Sequence, residues 1–400
     1  MKIPFAKVIP GGNATIIVPA SAVDHAHLPQ VSQKLMGQNH IEAEQVGSLA
    51  FANTPSALPH LQMMGGEFCV NATRACASLL ANAGQLLANK QGCQAGYMRV
   101  SGSPEPILVA TAPSAELLNT TVVALQEHEV SAYRQDQSPQ KPSLSTSQSS
   151  PQLPAQYHPS SNPTANWLDH IQSPSLYAGA RLSCPLFMPA SENAEPLSIF
   201  EQPENGLTLV HLPGISHLLI PVDNKTFPSK EECEVMAAHY RKQLGLEALP
   251  ALGTIWYCES GNTFGNTCGN KSGNKLDNEA TSILSRASGH KPDNASPNDC
   301  ASDGAPDSAN YQGFDIFPAV YVKATDSLCL ETACGSASLA LALHACVSAG
   351  AYETQPRSQY AVLQPSGQTL TVIIEKQTAS LCHAWVTGPV HIVALGTAFM

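Results

Sequence analysis

The sequence predicts an α/β (α+β) fold in which two similar lobes enclose a central cleft, and three observations lead to this prediction. First, two related segments, GGEFCVNATRACA at 65–77 and ETACGSASLALAL at 331–343, each place an acidic residue before a cysteine and a helix-like apolar run after it. Second, short strand-like and helix-like segments alternate along the chain. Third, two polar inserts, 134–166 and 259–312, leave two parts of comparable size when they are set aside.

Residues 1–133 form the first predicted lobe, which begins with a pair of strands. The segment AKVIPGGNATIIVPA contains two apolar runs separated by Gly11, Gly12 and Asn13. Glycine and asparagine between two apolar runs are typical of a tight turn, so this segment predicts a strand, a turn and a second strand. The segment QVGSLAFA at 45–52 predicts a further strand of the same lobe.

The rest of the first lobe is predicted to contain the helix that carries the first cysteine motif. Apolar residues recur at helical spacing over 73–87, and the runs at 107–112 and 119–126 (NTTVVALQ) predict two more strands. The insert at 134–166 is rich in Ser, Pro and Gln. Because it has almost nothing to bury, we expect it to be a linker or a mobile loop.

Residues 167–387 form the second predicted lobe. The apolar segment LTLVHLPGISHLLIPV at 207–222 indicates strands, and a helix is predicted to follow it. Ser229 with Glu232 three residues later is a capping box, and the predicted helix runs through Gln243.

The second polar insert divides the second lobe, and a last strand closes the chain. The insert at 259–312 separates the strand-like segments LGTIWYC and FPAVYVKA. Residues 388–400 read as a strand that returns to the first lobe. Together these segments predict a duplicated architecture with one cysteine motif in each lobe.

Composition excludes several classes of protein. Among 400 residues only 13% are charged, and the formal net charge is −11, which argues against a nucleic-acid-binding protein because such proteins need basic surfaces. No uninterrupted run of about 20 apolar residues indicates a membrane span. The first 20 residues lack the apolar core of a signal peptide, so we expect a cytoplasmic protein whose twelve cysteines are reduced thiols.

The residues that follow Cys69 and Cys334 are predicted to open helices, which gives both thiols a distinctive position. A helix N-terminus has unpaired backbone N–H groups and a positive partial charge. A cysteine there is expected to have its pKa lowered, into a range of roughly 3.5 to 7.5. The same N–H groups can hold a substrate carboxylate.

Two such thiols on opposite sides of a cleft suit one reaction in particular. One thiolate can remove the proton from an α-carbon while the opposite thiol returns a proton to the other face, and the two groups exchange roles with each turnover. The N–H groups around the carboxylate would stabilise the carbanion. This chemistry needs no pyridoxal phosphate, and the sequence suggests neither a cofactor nor a metal.

The two cysteine motifs resemble those of a known family. GGEFCVNATRA is similar to the first, and TACGSASLA to the second, cysteine motif of the diaminopimelate epimerase superfamily, and the resemblance extends to GGNA at 11–14, EQVG at 44–47 and LPGISH at 212–217. Its members are pyridoxal-phosphate-independent racemases and epimerases with two α/β lobes around a cleft. The resemblance implies a small amino-acid substrate, no cofactor and a homodimer.

The resemblance also assigns roles to individual residues. Cys69 and Cys334 would be the acid/base pair, and Asn13 would line the end of the cleft that receives the substrate side chain. The α-carboxylate would be held by the backbone N–H groups of Val70, Asn71, Gly335 and Ser336.

Departures from the diaminopimelate epimerase pattern point to a different substrate. Val70 and Ala72 replace two glycines of the usual first motif, and KATDSLCLETACG at 323–335 lacks the Glu-Arg pair that grips a distal amino-acid head. The variant pattern is more similar to the histidine racemases of opine-type metallophore biosynthesis. Glu44 would then bind the imidazole or shield the thiols, with a solvated strand-end glutamate as the alternative. His217 would approach the substrate, with a locally hydrogen-bonded loop histidine as the alternative.

The sequence leaves other interpretations of the substrate and of the function open. Within the same fold, the substrate could be diaminopimelate or another amino acid. Outside it, the chain could be a thiol-based metal-binding or redox protein, for which the best local support is Cys258, Cys268, His290 and Cys300. These ligands are spaced more widely than those of zinc modules. Cys69 and Cys334 could also form a reversible, inactivating disulfide.

Overall fold

The architecture is that of a computed structural model, which describes residues 1–37, 39–54, 57–122, 125, 175–188, 197–203, 206–223, 226–260, 312–323 and 326–400. The insert 134–166 and nearly all of the insert 259–312 lie outside the described residues. The helices are α1 (Leu28–Met36), α2 (Val70–Asn82), α3 (115–122), α4 (Lys230–Gln243), α5 (Gly335–Ser348) and α6 (Ala351–Thr354).

The strands run through both halves of the chain. They are β1 (Lys2–Pro10), β2 (Thr15–Pro19), β3 (Gln45–Ala50), β4 (His60–Met63), β5 (Leu87–Ala88), β6 (Gln94–Val100), β7 (Ile107–Ala112), β8 (Ser175–Pro185), β9 (Phe187–Met188), β10 (Leu197–Ser198), β11 (Phe200–Glu201), β12 (Thr208–Leu212), β13 (Ile215–Pro221), β14 (Ala251–Glu259), β15 (Gln312–Val322), β16 (Ser327–Leu330), β17 (Arg357–Leu363), β18 (Thr369–Lys376) and β19 (Leu381–Phe399).

The first lobe is a closed ring of strands around α2. The ring runs β1, β2, β3, β4, β6, β7, β8 and β19 and returns to β1; its β2–β3 and β4–β6 pairs are parallel and the others antiparallel. Every residue of α2 from Val70 to Ala81 is buried. A helix buried on all sides belongs in the middle of a core rather than on its surface.

The second lobe repeats this plan around α5. Its strands follow the order β12, β13, β14, β15, β17, β18, β19 and β8, with β13–β14 and β15–β17 parallel. The ring closes through Ile199, which donates its N–H to the Leu186 carbonyl oxygen and accepts from the N–H of His211. Each residue of α5 from Gly335 to Leu343 is buried.

The two lobes have the same order of elements, which confirms the predicted pseudo-symmetric fold. Each consists of a hairpin, an outer helix, a strand parallel to the hairpin, an antiparallel strand, the central helix, and two more strands. Strands β8 and β19 are shared. β19 pairs with β18 from Cys382 to Thr387 and with β1 from Val390 to Phe399. The apolar core therefore extends continuously around both central helices.

The remaining helices cover the outside of the rings. Leu35 of α1 packs against Ile16 and Val46, and Ala237 of α4 packs with Leu218 and Trp256. α4 begins at the predicted capping box, in which Ser229 and Glu232 bond each other's backbone N–H groups. Among the described residues, no helix is long and apolar enough to cross a membrane.

Two local predictions were wrong. The run 119–126, predicted as a strand from its β-branched residues, begins instead within α3, because Leu118 and Val122 are buried on one helical face. The Ser114 hydroxyl accepts from the Leu117 N–H at the start of this helix. The helix predicted from apolar spacing over 73–87 begins at Val70, as the prediction of a helix opening after Cys69 requires, but it ends early, at Asn82. Gly84 follows with a φ of 67°, which suits a helix C-terminus.

Candidate active site

The N-termini of the two central helices meet at the seam between the lobes. Cys69 is the N-cap residue of α2 and Cys334 that of α5, with nearly identical backbone angles (φ −130°, ψ 113° and φ −133°, ψ 107°). The Asn71 side-chain amide donates to the Ala333 carbonyl oxygen at 2.8 Å. A Cβ on Gly335 would lie only 2.8 Å from Val70 Cγ1, so glycine is what lets the two helix ends approach.

A cavity of about 180 Å³ opens at this meeting point. Both thiols line it, together with the first helical residues predicted to hold a carboxylate, namely Val70, Asn71, Gly335 and Ser336. Three carboxylic side chains also line it: Glu44, Glu67 and Glu331. The described lining contains no lysine, arginine or histidine. The positive potential at the described cavity wall therefore comes from the backbone N–H groups at the two helix N-termini.

Cys69 is held by groups on both sides of its sulfur. Its Sγ accepts from the Ala72 N–H at 3.3 Å and donates to Gln45 Oε1 at 2.9 Å. Burial raises the pKa of the Cys69 thiol above its ordinary value, and the carboxylates of Glu331 and Glu67 raise it further. The resting sulfur is consequently a neutral thiol.

Cys334 has a different set of partners. It is 2% exposed, its Sγ lies 3.5 Å from Ser336 Oγ, and its backbone N–H donates to Gln364 Oε1 at 2.9 Å. Burial raises the pKa of the Cys334 thiol, and the neighbouring Glu331 carboxylate, to which the thiol is hydrogen-bonded, raises it further. The sequence predicted lowered pKa values for both thiols. That direction is wrong, because burial and the carboxylates outweigh the helix N–H groups.

Glu331 has an environment suited to holding a proton near neutral pH. Burial raises the pKa of its carboxyl from 4.5 to about 8, the nearby charges of Glu44 and Glu67 raise it as well, and its hydrogen bond with Cys334 opposes the shift. A carboxylate of this basicity beside a thiol can take the thiol's proton.

Glu44 lines the cavity and also joins the two lobes. Its Oε2 accepts from the Thr332 N–H at 3.0 Å and from Asn13 Nδ2 at 2.9 Å, while Oε1 lies 2.5 Å from the Thr332 hydroxyl and 3.3 Å from the Ala14 N–H. Burial raises the pKa of Glu44, although each of these hydrogen bonds lowers it. The carboxyl is thus fixed in place before any substrate arrives.

Asn13 lies behind the cavity wall rather than in it. The side chain is fully buried, and Asn13 is absent from the residues that line the cavity. Its amide instead bonds Glu44, and its Oδ1 accepts from Gln45 Nε2 at 2.6 Å. The predicted contact of Asn13 with a substrate side chain therefore has no support in this arrangement, in which Asn13 holds two residues that do reach the cavity.

The structure does not bring His217 to the thiols. The residue lies within β13, not in a loop, and pairs with Val210 on one side and Gly253 on the other. Its ring is fully buried against Gly253, and neither ring nitrogen has a hydrogen-bond partner among the described residues. Burial lowers the pKa of His217 to about 3, so the ring is neutral.

The cavity is also lined by residues that were not predicted as site residues, among them Gln45, Cys329 and Glu331. Gln45 accepts a hydrogen bond from Cys69, and Glu331 is hydrogen-bonded to Cys334. Cys329 lines the cavity wall, and burial raises the pKa of its thiol to about 12. The position of Gln45 next to Glu44 in the motif EQVG was the available signal.

Arg74 anchors the first central helix to the shared strands. It is fully buried on α2, where Nε donates to the Ala178 carbonyl oxygen at 3.0 Å and an Nη donates to the Pro389 carbonyl oxygen at 3.2 Å. Its other Nη lies 3.4 Å from Asn71 Oδ1. Arg74 thereby fixes the orientation of Asn71 at the helix N-terminus, and its role is structural.

The alternative of a metal-binding protein receives no support from the described part of the chain. There, no group of three or more His, Cys, Asp or Glu residues could hold a metal ion. Of the four residues that the sequence suggested, Cys258 is buried in β14, while Cys268, His290 and Cys300 lie outside the described residues.

Comparison with known proteins identifies relatives. Residues 2–138 and 310–399 match a family described as the histidine racemase CntK N-terminal domain. Over 77 residues the chain is 44% identical to a histidine racemase of Fusobacterium nucleatum subsp. nucleatum, an overlap of 19% of this chain and 26% of that protein. Over 72 residues it is 39% identical to a histidine racemase of Staphylococcus aureus, covering 18% and 26%. The aligned part thus spans about a quarter of the length of these curated relatives.

Solved structures show a distant likeness. A hydroxyproline epimerase from Agrobacterium vitis with bound trans-4-OH-L-proline superposes with a TM-score of 0.48 at 8% identity, covering 99% of this chain and 92% of the other. A methylitaconate-delta-isomerase gives a TM-score of 0.43 at 8% identity, with coverages of 99% and 95%.

Proposed function

The chain belongs to the histidine racemase CntK N-terminal domain family, and from this premise we propose that it is a cofactor-independent amino-acid racemase that interconverts L- and D-histidine. One observation carries the proposal: two thiols, contributed by two lobes and placed at the N-termini of two buried helices, line a single small cavity. This arrangement supplies an acid and a base of the same kind to one bound carbon atom.

The substrate carboxylate fits the seam between the helix ends. Four backbone N–H groups, those of Val70, Asn71, Gly335 and Ser336, belong to first-turn residues that line the cavity. Such groups bind anions because they lack intrahelical partners and lie at the positive end of the helix dipole. A carboxylate held there stabilises the carbanion formed at the adjacent α-carbon, since charge develops where these dipoles point.

The proton transfers then involve only side chains of this chain. The sulfur of one cysteine takes the α-proton while the C–H electron pair stays on the α-carbon, and the thiol of the other cysteine gives its proton to the opposite face. Glu331 assists Cys334, because its carboxylate can accept the proton that the thiol must lose before its sulfur acts as a base.

The charge of the cavity favours histidine over diaminopimelate. Glu44, Glu67 and Glu331 line it, and no cationic side chain of the described lining is available to pair with a distal substrate carboxylate. An unpaired carboxylate buried among three acidic side chains is costly. An imidazole, which presents N–H groups and can carry positive charge, instead meets hydrogen-bond acceptors.

Chiral chromatography of reaction products tests the substrate assignment. We expect the purified full-length protein to convert L-histidine to a racemic mixture, and to act on glutamate and diaminopimelate at rates at least about 10²-fold lower, because their distal carboxylates meet the acidic wall. Ornithine, which has a flexible cationic side chain, serves as the control for charge without an imidazole. Faster turnover of diaminopimelate than of histidine would contradict the assignment.

Three further features stay predictions from the family resemblance. These are a cytoplasmic location, a homodimer, and a place in metallophore biosynthesis as the source of D-histidine. A reversible disulfide between Cys69 and Cys334 likewise stays a prediction, and both cysteines are free thiols in the structure.

A further inference from the structure

A chain of hydrogen bonds leads from Glu44 to the sulfur of Cys69. Asn13 Nδ2 donates to Glu44 Oε2 at 2.9 Å, Gln45 Nε2 donates to Asn13 Oδ1 at 2.6 Å, and Cys69 Sγ lies 2.9 Å from Gln45 Oε1. The amides of Asn13 and Gln45 are 0% and 5% exposed. A buried amide is costly when one of its donors or acceptors lacks a partner. The orientation of each amide in this hydrogen-bond network therefore follows from its neighbours.

The direction is fixed from the Glu44 end. Both Glu44 oxygens accept from backbone N–H groups, Oε2 from Thr332 and Oε1 from Ala14, as an ionised carboxylate does. An ionised carboxylate only accepts hydrogen bonds, so Asn13 must present its NH₂ group to Oε2. Asn13 Oδ1 consequently faces Gln45, which must present its own NH₂ group.

Thr15 supports the same orientation. Its hydroxyl donates to Asn13 Oδ1 at 3.0 Å and accepts from Gln45 Nε2 at 2.7 Å, which uses both its donor and an acceptor lone pair. Turning either amide over would place two acceptors or two donors against each other in a buried network. Such unsatisfied groups cost about 1–3 kcal/mol each.

Gln45 must therefore present its oxygen to Cys69, and this makes the two thiols unequal. An amide oxygen accepts a hydrogen bond from a thiol but is far too weak a base to take its proton. Cys334 instead faces the carboxylate of Glu331, which can take one. At the position in β14 that corresponds to Gln45, two residues before Gly253 as Gln45 stands two before Gly47, the second lobe has Ala251.

We propose that the Asn13–Gln45 amide pair is a positioning device that fixes Cys69 as the proton-donating thiol of the resting enzyme, leaving Cys334 with Glu331 to take up the α-proton. The inference rests on the proposed function and deepens it. In the first turnover Glu331 takes the S–H proton of Cys334, and the resulting Cys334 thiolate takes the α-proton while the C–H electron pair stays on the carbon. The Cys69 S–H proton passes to the opposite face of the carbon, leaving its electron pair on sulfur. The resting state returns when Cys69 regains a proton from solvent and Glu331 releases its proton to solvent.

Other charged groups also face Cys69, and the test must hold them constant. Glu67 acts from the segment before α2, Glu331 from the opposite lobe, and Arg74 from α2 itself. Substitutions at Gln45 and Asn13 change none of these charges. A difference between wild-type and variant Cys69 therefore reports on the amide pair.

The test is the pH dependence of iodoacetamide alkylation at each thiol, measured without substrate by peptide mass spectrometry from about pH 6 to about pH 10. In Gln45→Met the Cys69 thiol loses its acceptor, and in Asn13→Ala the Gln45 amide becomes free to turn its NH₂ group toward the sulfur. Both changes favour the thiolate, so Cys69 should react at least about tenfold faster near pH 8 in both variants. Cys334 should react as in the wild type.

Gln85→Met is the matched control. It removes the same kind of amide near the far end of α2, where Gln85 bonds the backbone of Ala52, and should leave both thiols unchanged. An unchanged or slower Cys69 in the two test variants would overturn the proposal, as would equal acceleration of both thiols. Because the readout needs no substrate, a failure of this inference is distinguishable from a failure to racemise histidine.

Discussion

Replacement of either Cys69 or Cys334 by serine is expected to lower kcat for histidine racemisation by at least about 10³-fold. The two thiols line one cavity from different lobes, so each must serve one face of the α-carbon and neither can replace the other. A serine hydroxyl is a far weaker acid than a thiol and is nearly isosteric with it, so the loss would reflect chemistry rather than packing. Chiral chromatography of the products measures it.

Cys76→Ser and Cys346→Ser are matched controls for these two variants. The first lies deeper in α2 and the second deeper in α5, and neither lines the cavity. Both should retain racemisation, although each buries a hydroxyl and should lower the melting temperature. Wild-type kcat in Cys69→Ser or in Cys334→Ser would rule out the two-thiol mechanism.

Glu331→Gln is expected to lower kcat/KM by about 10²-fold at its optimum and to remove an acidic limb from the pH profile. Because the wild-type carboxyl has its pKa raised to about 8, the fraction able to accept the Cys334 proton grows as pH rises through that value. Wild-type kcat/KM should therefore increase with pH up to about 8 and then level off. Glutamine cannot accept a proton, so the variant should lack this limb.

Glu331→Gln is also expected to change stability, and at high pH it should stabilise the protein although it lowers activity. A carboxyl whose pKa is about 8 in the folded protein and near 4.5 when unfolded binds more protons in the folded state over that interval. The free energy of unfolding of the wild type is thus lowered as pH rises from about 4.5 to about 8. Glu331→Gln removes this penalty, so its stability relative to the wild type should be greater at about pH 9 than at about pH 5. The reverse order in thermal melts would contradict the assigned burial of the Glu331 charge.

The sequence predicted the two-lobed fold because the signals for it are repeated. Two cysteine motifs that each precede an apolar run predict two central helices, and both occur at the expected places. Propensity alone failed at 119–126, where β-branched residues favour a strand. The pairing of Leu118 and Val122 on one face of a helix, buried against Trp385, overrides that preference.

The contacts of the site were less predictable because they depend on which lobe faces which. Glu44 of the first lobe accepts a hydrogen bond from Thr332, which lies 288 residues later in the chain. Glu331 of the second lobe lines a cavity whose opposite wall belongs to the first lobe. The pKa values of both thiols are raised because the two lobes bury them next to carboxylates, and neither effect can be seen from one helix terminus alone. Gln45 could have been found only from its neighbour Glu44, since a glutamine at a strand start has no chemistry of its own to mark it.

Proton NMR of L-histidine incubated with the purified protein and a thiol reductant in D₂O is the decisive measurement for proton transfer by two thiols. We expect the Cα–H signal to disappear while deuterated D-histidine accumulates, because the proton removed by one sulfur is replaced by a solvent-derived deuteron from the other. Retention of the full Cα–H signal throughout, with the protein folded and both thiols reduced, would contradict this mechanism.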